Sequence, residues 1–458
     1  MTLTSSSLIS RAMSPGAGAK DVLTDLRDAA AAWVAEAEGG RFEPELPPDD
    51  RTLGAQLARH AASVLLAGGS PPEALDSALV RLLYTGESEA LRARPDADPD
   101  FDPAGVRPLA DLMRDYPARI LGDVAERPAA LRNRSANVQL MITRRCQLRC
   151  SYCPVVKRDE DMPREVIDRT INLLLGSSRE SIRLDFTGGE PLLRWEEIQR
   201  AAVRTIAAGE ALEKKVGFYM VTNGFELTRS RAEELASYGF RIELSLDGSE
   251  EAHNRYKVPV DASENPYKHT LAAIEMAIDA RLAHTVVMVV TPQTVRDLRE
   301  SFEHVLHLGV QSIDVNYAIG RTWDDESLSI YLSALDGIVE DHAMRLHSGD
   351  LELGNLTSRV EPAILNAEWM VNTDGSLHLM TEWALESSRP DGSQDLSFGS
   401  IADLGTWDGL FAGRFHSYDA LLRTYAWRDG ELRSLLHNNV STGRLVSQRI
   451  DRLRGILR

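Results

Sequence analysis

The sequence predicts an α/β protein: a partial (β/α)6 TIM-like barrel, a helical N-terminal domain before it and a small α+β extension after it. Three observations carry this expectation. Six apolar strand-like runs between residues 138 and 317 alternate with helical patterns. Helical periodicity fills the region before them, and a short hairpin signal follows. Apolar strands separated by helices read as a parallel sheet covered by helices. Right-handed crossovers repeated at every step curl such a sheet into a barrel or part of one.

Taken in order, residues 1–20 are Ser-rich and read as a flexible start, without the apolar block of a secretory signal. Residues 21–134 read as helical, as in DVLTDLRDAAAAWVAEAEGG and TLGAQLARHAASVLLAGG, with a Pro-, Asp- and Arg-rich connection from Glu87 to Pro108. The barrel is expected over 135–320. Its strands are VQLMIT (138–143), IRLDFT (182–187), GFYMVT (217–222), RIELSL (241–246), TVVMVV (285–290) and SIDVNY (312–317). Between them lie REVIDRTINLLLG, EEIQRAAVRTIAAG, SRAEELASYG, PYKHTLAAIEMAIDAR and TVRDLRESFEHVLHLG, all with helical spacing. The extension is expected over 321–458. It opens with a helix around SLSIYLSALDGIVEDHAMRLH and continues as a hairpin in WMVNTDGSLHLM, turning at Asp374-Gly375. From about Ser417 the tail is again helical and ends in a basic stretch.

The chain has 458 residues, 43% hydrophobic and 26% charged, an ordinary composition for a globular protein. A formal net charge of −18 argues against tRNA or DNA as a partner, because phosphate binding needs dense Lys and Arg. A peptide, protein or small molecule is the expected substrate class. No apolar run is long enough to span a membrane, so no membrane partner and a cytoplasmic location are expected.

All three cysteines fall between Cys146 and Cys153, in Met141-Ile-Thr-Arg-Arg-Cys146-Gln-Leu-Arg-Cys150-Ser-Tyr152-Cys153-Pro154. A disulfide framework would spread an even number along the chain, so three clustered thiols read as metal ligands. They follow the first strand directly and so emerge at its C-terminal end. A structural zinc site wants four protein ligands, and the nearest histidines in sequence are His60 and His253. A cuboidal [4Fe–4S] cluster held by three thiolates keeps one iron open for a small ligand.

Cys-x-x-x-Cys-x-x-Cys with an aromatic, Tyr152, before the last cysteine resembles the signature of the radical S-adenosylmethionine (SAM) superfamily. The resemblance covers roughly residues 137–320. It implies one [4Fe–4S] cluster on Cys146, Cys150 and Cys153. SAM would sit on the open iron and be cleaved to a 5′-deoxyadenosyl radical that takes hydrogen from substrate. A flavodoxin- or ferredoxin-type donor would supply the electron. Thr187-Gly188-Gly189-Glu190-Pro191, at the end of the second strand, is similar to the motif that receives the amino group of SAM; two glycines also let backbone approach a ligand closely. Val221-Thr222-Asn223-Gly224 ends the third strand and reads equally as an Asn-Gly turn. Ser245-Leu246-Asp247-Gly248, followed by His253-Asn254-Arg255-Tyr256-Lys257, resembles the segment by which peptide-modifying members hold the ribose and carboxylate of SAM. Where the family has Asp after the His and Arg four past it, this chain has Asn254 and Lys257. Arg255 and Lys257 both remain candidates for the carboxylate, and Lys lacks the bidentate fork of Arg. Val289-Val290-Thr291 and Asn316-Tyr317 end the last two strands, where packing competes with contact to adenine or substrate.

Met370-Val-Asn-Thr-Asp374-Gly375-Ser-Leu-His-Leu-Met380 and Phe398-Gly399-Ser400-Ile401-Ala402-Asp403-Leu404 resemble the SPASM or twitch extension of peptide maturases. Met380 stands where that pattern has a cysteine, and no thiol follows Cys153. An auxiliary cluster held by cysteines is therefore excluded, which favours redox-neutral chemistry or return of the electron through the single cluster. Glu361, Asp374, Glu382 and Trp383 are candidates for the substrate side, against a reading as solvated loop residues. Three readings of function result: hydrogen abstraction from a peptide or protein residue, the same chemistry on a sugar, nucleoside or other natural product, and a catalytically silent scaffold.

Overall fold

The computed structural model describes residues 135–357, 368–379, 385–388, 397, 399–407 and 430–457. The expected flexible start (1–20), the helical domain (21–134), Glu361, Met380, Glu382, Trp383 and Phe398 lie outside them. The described residues between 135 and 407, with 441–457, pack as one compact unit.

All six expected strands form, the last with the expected bounds and the others a little longer or shifted by a residue: β1 (Ser135–Thr143), β3 (Ser181–Gly188), β4 (Lys215–Thr222), β5 (Phe240–Ser245), β7 (Ala283–Val290) and β8 (Ser312–Tyr317). They are mutually parallel and neighbour one another in sequence order, β1-β3-β4-β5-β7-β8. Two further strands, β2 (Leu148–Cys150) and β6 (Lys257–Pro259), form a separate antiparallel ribbon. Beyond β8 lies the short parallel β9 (Glu352–Leu353). The Asp374-Gly375 hairpin forms as β10 (Trp369–Val371) and β11 (Leu377–Leu379). It does not stand apart, because β10 pairs in parallel with β1 and extends the same sheet. The result is an open nine-stranded sheet, β11-β10-β1-β3-β4-β5-β7-β8-β9, a partial barrel without closure among the described residues.

Side chains of a strand alternate between its faces. One face of this sheet presents Leu140, Ile142, Leu184, Phe186, Met220, Ile242, Leu244, Val286, Met288, Ile313 and Val315, each at most 1% exposed. These pack with Ile171, Leu174, Ile198, Leu235, Ile274, Phe302 and Leu335 of the covering helices as one core. Phe240 joins this layer, stacked on Phe218 at 4.8 Å and on Phe186 at 5.8 Å between ring centroids. Full burial of each such side chain contributes roughly 1.5–3 kcal/mol. The helices begin where the sequence supplies caps. Thr228 accepts from Arg231 N ahead of the helix Arg229–Ser237, and Asn265 accepts from Lys268 N ahead of Pro266–Asp279.

The other face is polar. It carries Gln139, Arg183, Asp185, Tyr219, Arg241, Glu243 and Asp314. Arg183 pairs with Asp185 at 2.5 Å, the Tyr219 hydroxyl donates to Glu243, and Gln139 donates to Glu368 at 2.8 Å. A closed barrel fills its interior with branched apolar side chains. Here the polar residues of that face largely partner one another, and Asp185 among them is only 5% exposed. The C-terminal helix Gly430–Leu457 ends against the far edge, where Arg454 donates to the carbonyls of Leu356 and Asn355 at 2.7 and 3.2 Å. No helix among the described residues is long and apolar enough to cross a membrane.

Candidate functional site

The three cysteines gather at the C-terminal end of β1. Cys146 lies in the loop after the strand, Cys150 ends β2, and Cys153 closes the turn that follows, its N–H donating to the Cys150 carbonyl at 3.1 Å. All three are half-buried free thiols. The β2–β6 ribbon sets Cys150 directly opposite Lys257. Donors surround the sulfurs. Cys146 Sγ accepts from Leu148 N at 3.4 Å and from Asn223 Nδ2 at 3.7 Å, and Cys153 Sγ accepts from Lys157 Nζ at 3.2 Å. Burial pushes the Cys150 thiol up to about 12, against the pull of Lys257, and burial raises Cys146 against the pull of Lys157. Among the described residues no three His, Cys, Asp or Glu side chains are grouped to hold a metal ion. Thiolates on one tetrahedral zinc at ~2.3 Å would lie about 3.8 Å apart. On an iron–sulfur cube each thiolate takes its own iron, which asks for a wider spread. Three free thiols, each faced by an N–H donor or an ammonium group, suit such a cluster.

Gly188 and Gly189 lie under the cysteine loop, and their lack of side chains is required there. A Cβ on Gly188, where φ is +138°, would stand 2.2 Å from the Thr143 carbonyl oxygen; one on Gly189 would stand 2.0 Å from that of Arg145. Their close approach is thus to the backbone of the cysteine loop. Gly189 N donates to Thr143 O and Glu190 N to Arg145 O, both at 2.8 Å, so these peptide N–H groups are taken up inside the protein. The Glu190 side chain is wholly buried and accepts from Leu192 N (3.0 Å), Thr222 Oγ1 (2.7 Å) and Asn223 N (2.8 Å). Burial pushes it up to about 7 although those bonds favour the anion. Asp161 fastens the same loop from outside, receiving Thr143 Oγ1, both ends of the Arg145 fork and Arg194 at 2.6–2.9 Å. Burial opposes the Asp161 anion, yet these donors hold its carboxyl below the ordinary range.

Tyr152 and Asp247 act as one unit. The phenol donates to Asp247 Oδ2 at 2.5 Å, while Oδ1 accepts from Val289 N at 3.0 Å. Asp247 N donates to His253 Nδ1 at 3.2 Å, and burial, then Lys257, hold His253 neutral, well below its usual value. Lys257 is 2% exposed; its Nζ donates to the Ser245 carbonyl at 3.1 Å, lies 3.6 Å from Asp247 Oδ2 and stands 6.0 Å from the Tyr152 ring centroid. Arg255 goes elsewhere. It belongs to the short helix Glu250–Tyr256, pairs with Glu251 at 2.7 Å and Asp297 at 3.8 Å, and is half-exposed. Of the two candidates, Lys257 is the one beside the cysteines. Asn223 both bonds Cys146 and makes its own turn, its Oδ1 accepting from Phe225 N at 3.0 Å. Val290 and Tyr317 are packed in the core, Thr291 bonds Thr294, and Asn316 is exposed.

The extension reaches this site through residues that the sequence did not single out. Arg144, 5% exposed at its side chain, pairs with Glu386 at 2.9 Å and donates to Asn372 Oδ1 at 2.9 Å and Val156 O at 3.2 Å. Glu386 also accepts from Val156 N at 3.2 Å. Asp374 is exposed and serves its own turn, accepting from Ser376 N at 2.9 Å, rather than lining a cavity. Lys157 was also missed. Its signal was only that it follows Cys153 by four residues, which fixes nothing until the loop's path is known.

The family description "Radical SAM superfamily" matches residues 140–305. An uncharacterized protein of Methanothermobacter thermautotrophicus is 26% identical over 262 residues, 55% of this chain and 93% of that one. The GTP 3′,8-cyclase of Mycobacterium sp. (strain KMS) is 34% identical over 125 residues, 26% of this chain and 34% of that enzyme. The radical SAM cyclopropyl synthase TigE of Paramaledivibacter caminithermalis is 23% identical over 157 residues, 30% of this chain and 32% of that enzyme. The chain thus spans about a third of either enzyme. Among solved structures, native anSMEcpe with bound AdoMet superposes with a TM-score of 0.56 at 16% identity, over 71% of this chain and 100% of that one. The same protein with AdoMet and the Kp18Cys peptide gives 0.52 at 18% identity, over 63% and 83%. At these identities the likeness is one of fold.

Proposed function

We propose, from the membership of residues 140–305 in the radical SAM superfamily, that this protein is an enzyme that cleaves SAM reductively and abstracts hydrogen from a peptide or protein residue. The observation that carries the reading is the set of three free thiols at the end of β1, each faced by an N–H donor or a lysine. When bound, a [4Fe–4S] cluster on Cys146, Cys150 and Cys153 supplies the electron that splits SAM into methionine and a 5′-deoxyadenosyl radical.

The chain's own residues do the positioning. Gly188 and Gly189 bring the end of β3 under the cysteine loop, and Glu190 locks β3 to β4 through Thr222 and Asn223. Tyr152 and Asp247 tie the turn between Cys150 and Cys153 to β7. Lys257 offers a buried cation on the ribbon for the SAM carboxylate, with Ser245 and Asp247 beside it. Such fixed geometry keeps a reactive species next to one substrate atom and away from water. No cysteine follows Cys153 in this sequence, so an auxiliary cluster on thiolates has no ligands, and either a redox-neutral rearrangement or return of the electron through the single cluster fits. A flavodoxin- or ferredoxin-type donor and a cytoplasmic setting belong to the proposal.

A peptide substrate is supported by the Ser245–Asp247 segment, by the β10–β11 hairpin and by the peptide in the anSMEcpe structure. A nucleotide or related small molecule is the second reading, favoured by the 34% identity to a GTP 3′,8-cyclase. Anaerobic incubation with SAM and dithionite tests the shared chemistry, with 5′-deoxyadenosine as the product. Mass spectrometry of a peptide encoded beside this gene and co-expressed with the protein separates the readings. A changed mass or isotope pattern supports the first; an untouched peptide alongside consumed GTP supports the second. Absence of 5′-deoxyadenosine with a fully loaded cluster would leave the silent scaffold.

A further inference from the structure

Lys157 lies four residues beyond the last cysteine, and its ammonium stands 3.2 Å from Cys153 Sγ. The contact is built rather than incidental. Val155, 5% exposed, is buried with Met141 and Met370 against Cys153. Both backbone polar groups of Val156 are held from opposite sides, its N–H by Glu386 and its carbonyl by Arg144, each at 3.2 Å. The segment from Cys153 to Lys157 is therefore pinned at two consecutive residues, and the lysine stem starts from a fixed point. The nearby carboxylates are engaged elsewhere: Asp159 pairs with Arg145, Glu160 with Arg158, and Asp161 with Arg194. Buried Lys257 stands opposite Cys150 on the β2–β6 ladder.

We propose that Lys157 is a positioning and redox-tuning residue for the iron–sulfur cluster, donating a charge-assisted N–H···S hydrogen bond to the Cys153 thiolate. The inference rests on the proposed function, since it needs the cluster to be present. Reduction adds one negative charge to an assembly that already carries three thiolates. A cation in contact with one of the sulfurs stabilises the reduced form more than the oxidised form and raises the potential; hydrogen bonds to sulfur and local charge are among the levers that set it. With Lys157 at Cys153 and Lys257 opposite Cys150, the cluster accepts its electron from a weaker reductant than thiolate charge alone would demand.

The test is a redox titration of the full-length, anaerobically reconstituted protein without SAM, read by the electron paramagnetic resonance signal of the reduced cluster, with iron per chain measured on each sample. Lys157→Met is expected to keep its iron and to titrate at a more negative midpoint. At the wild-type midpoint its reduced-to-oxidised ratio falls about tenfold, ~59 mV for a one-electron couple. Lys157→Arg keeps the charge and stays within about twofold of wild type, and Lys157→Gln, which keeps an N–H donor without charge, lies between. Should Lys157→Met lose iron, Lys157→Gln carries the comparison. A fully loaded neutral variant with the wild-type midpoint overturns the inference and leaves the proposed function standing; a wild-type protein that takes up no cluster overturns both.

Discussion

Arg144 and Glu386 are 242 positions apart in sequence and meet as an ion pair at 2.9 Å, with side chains 5% and 17% exposed. The pair joins the residue two before Cys146 to the 3-10 turn Glu386–Ser388 of the extension, and the second oxygen of Glu386 receives Val156 N from beyond Cys153. One carboxylate therefore holds both ends of the cysteine loop. Removing it leaves the buried guanidinium with only the looser contact to Glu160, at 3.7 Å, as counter-charge, a loss of about 2 kcal/mol. Glu386→Ala is expected to lower the thermal midpoint by several degrees and to reduce iron retained after gel filtration. Unchanged iron content and melting in this variant would show that the clamp is dispensable.

Gly189 gives a sharper effect from a smaller change. A methyl group there would meet the Arg145 carbonyl, and backbone held by Glu190 N cannot retreat. Gly189→Ala is expected to displace the cysteine loop while the sheet survives. The far-ultraviolet circular dichroism should match wild type while reconstituted iron falls at least fivefold.

Glu243 sets a pH dependence away from the cysteines. Its carboxyl, on the polar face of the sheet, is pushed up to about 7, first by burial and then by Asp314, Glu368 and Asp185, while the Tyr219 hydroxyl pulls it down. The folded value lies above the ordinary 4.5, so the neutral form is the stabilising one. Its contribution is complete below pH ~4.5 and is lost as pH rises through ~7, about 1 kcal/mol between pH 6 and 8. Glu243→Gln keeps an acceptor for Tyr219 and cannot ionise. Thermal melts should show the variant gaining on wild type from pH 6 to pH 8; a constant difference across that range would refute the assignment.

How much of this was legible beforehand follows from what is local. The barrel strands were, because runs such as RIELSL and SIDVNY alternate within themselves. Their polar inner positions, Glu243 and Asp314, were present in the same letters. The Asp374-Gly375 hairpin was legible as a turn, whereas the pairing of β10 with β1 leaves no local pattern, since the partners are over two hundred residues apart. The three-residue strands β2 and β6 are too short to show a period. Without them, Arg255 and Lys257 were indistinguishable; the helix ending at Tyr256 and the ladder starting at Lys257 turn one outward and the other toward Cys150. Gly188 and Gly189 read as a close approach to a ligand; within the fold they approach the backbone of Thr143 and Arg145, which no local pattern announces.

The central claim is that Cys146, Cys150 and Cys153 together hold an iron–sulfur cube. Metal and sulfide analysis of the protein purified and reconstituted without oxygen tests it most directly, with Cys150→Ala alongside. The account predicts about four irons and four sulfides per wild-type chain and a variant that retains few of them. Zinc in place of iron, no metal at all, or a Cys150→Ala protein as rich in iron as wild type would contradict it.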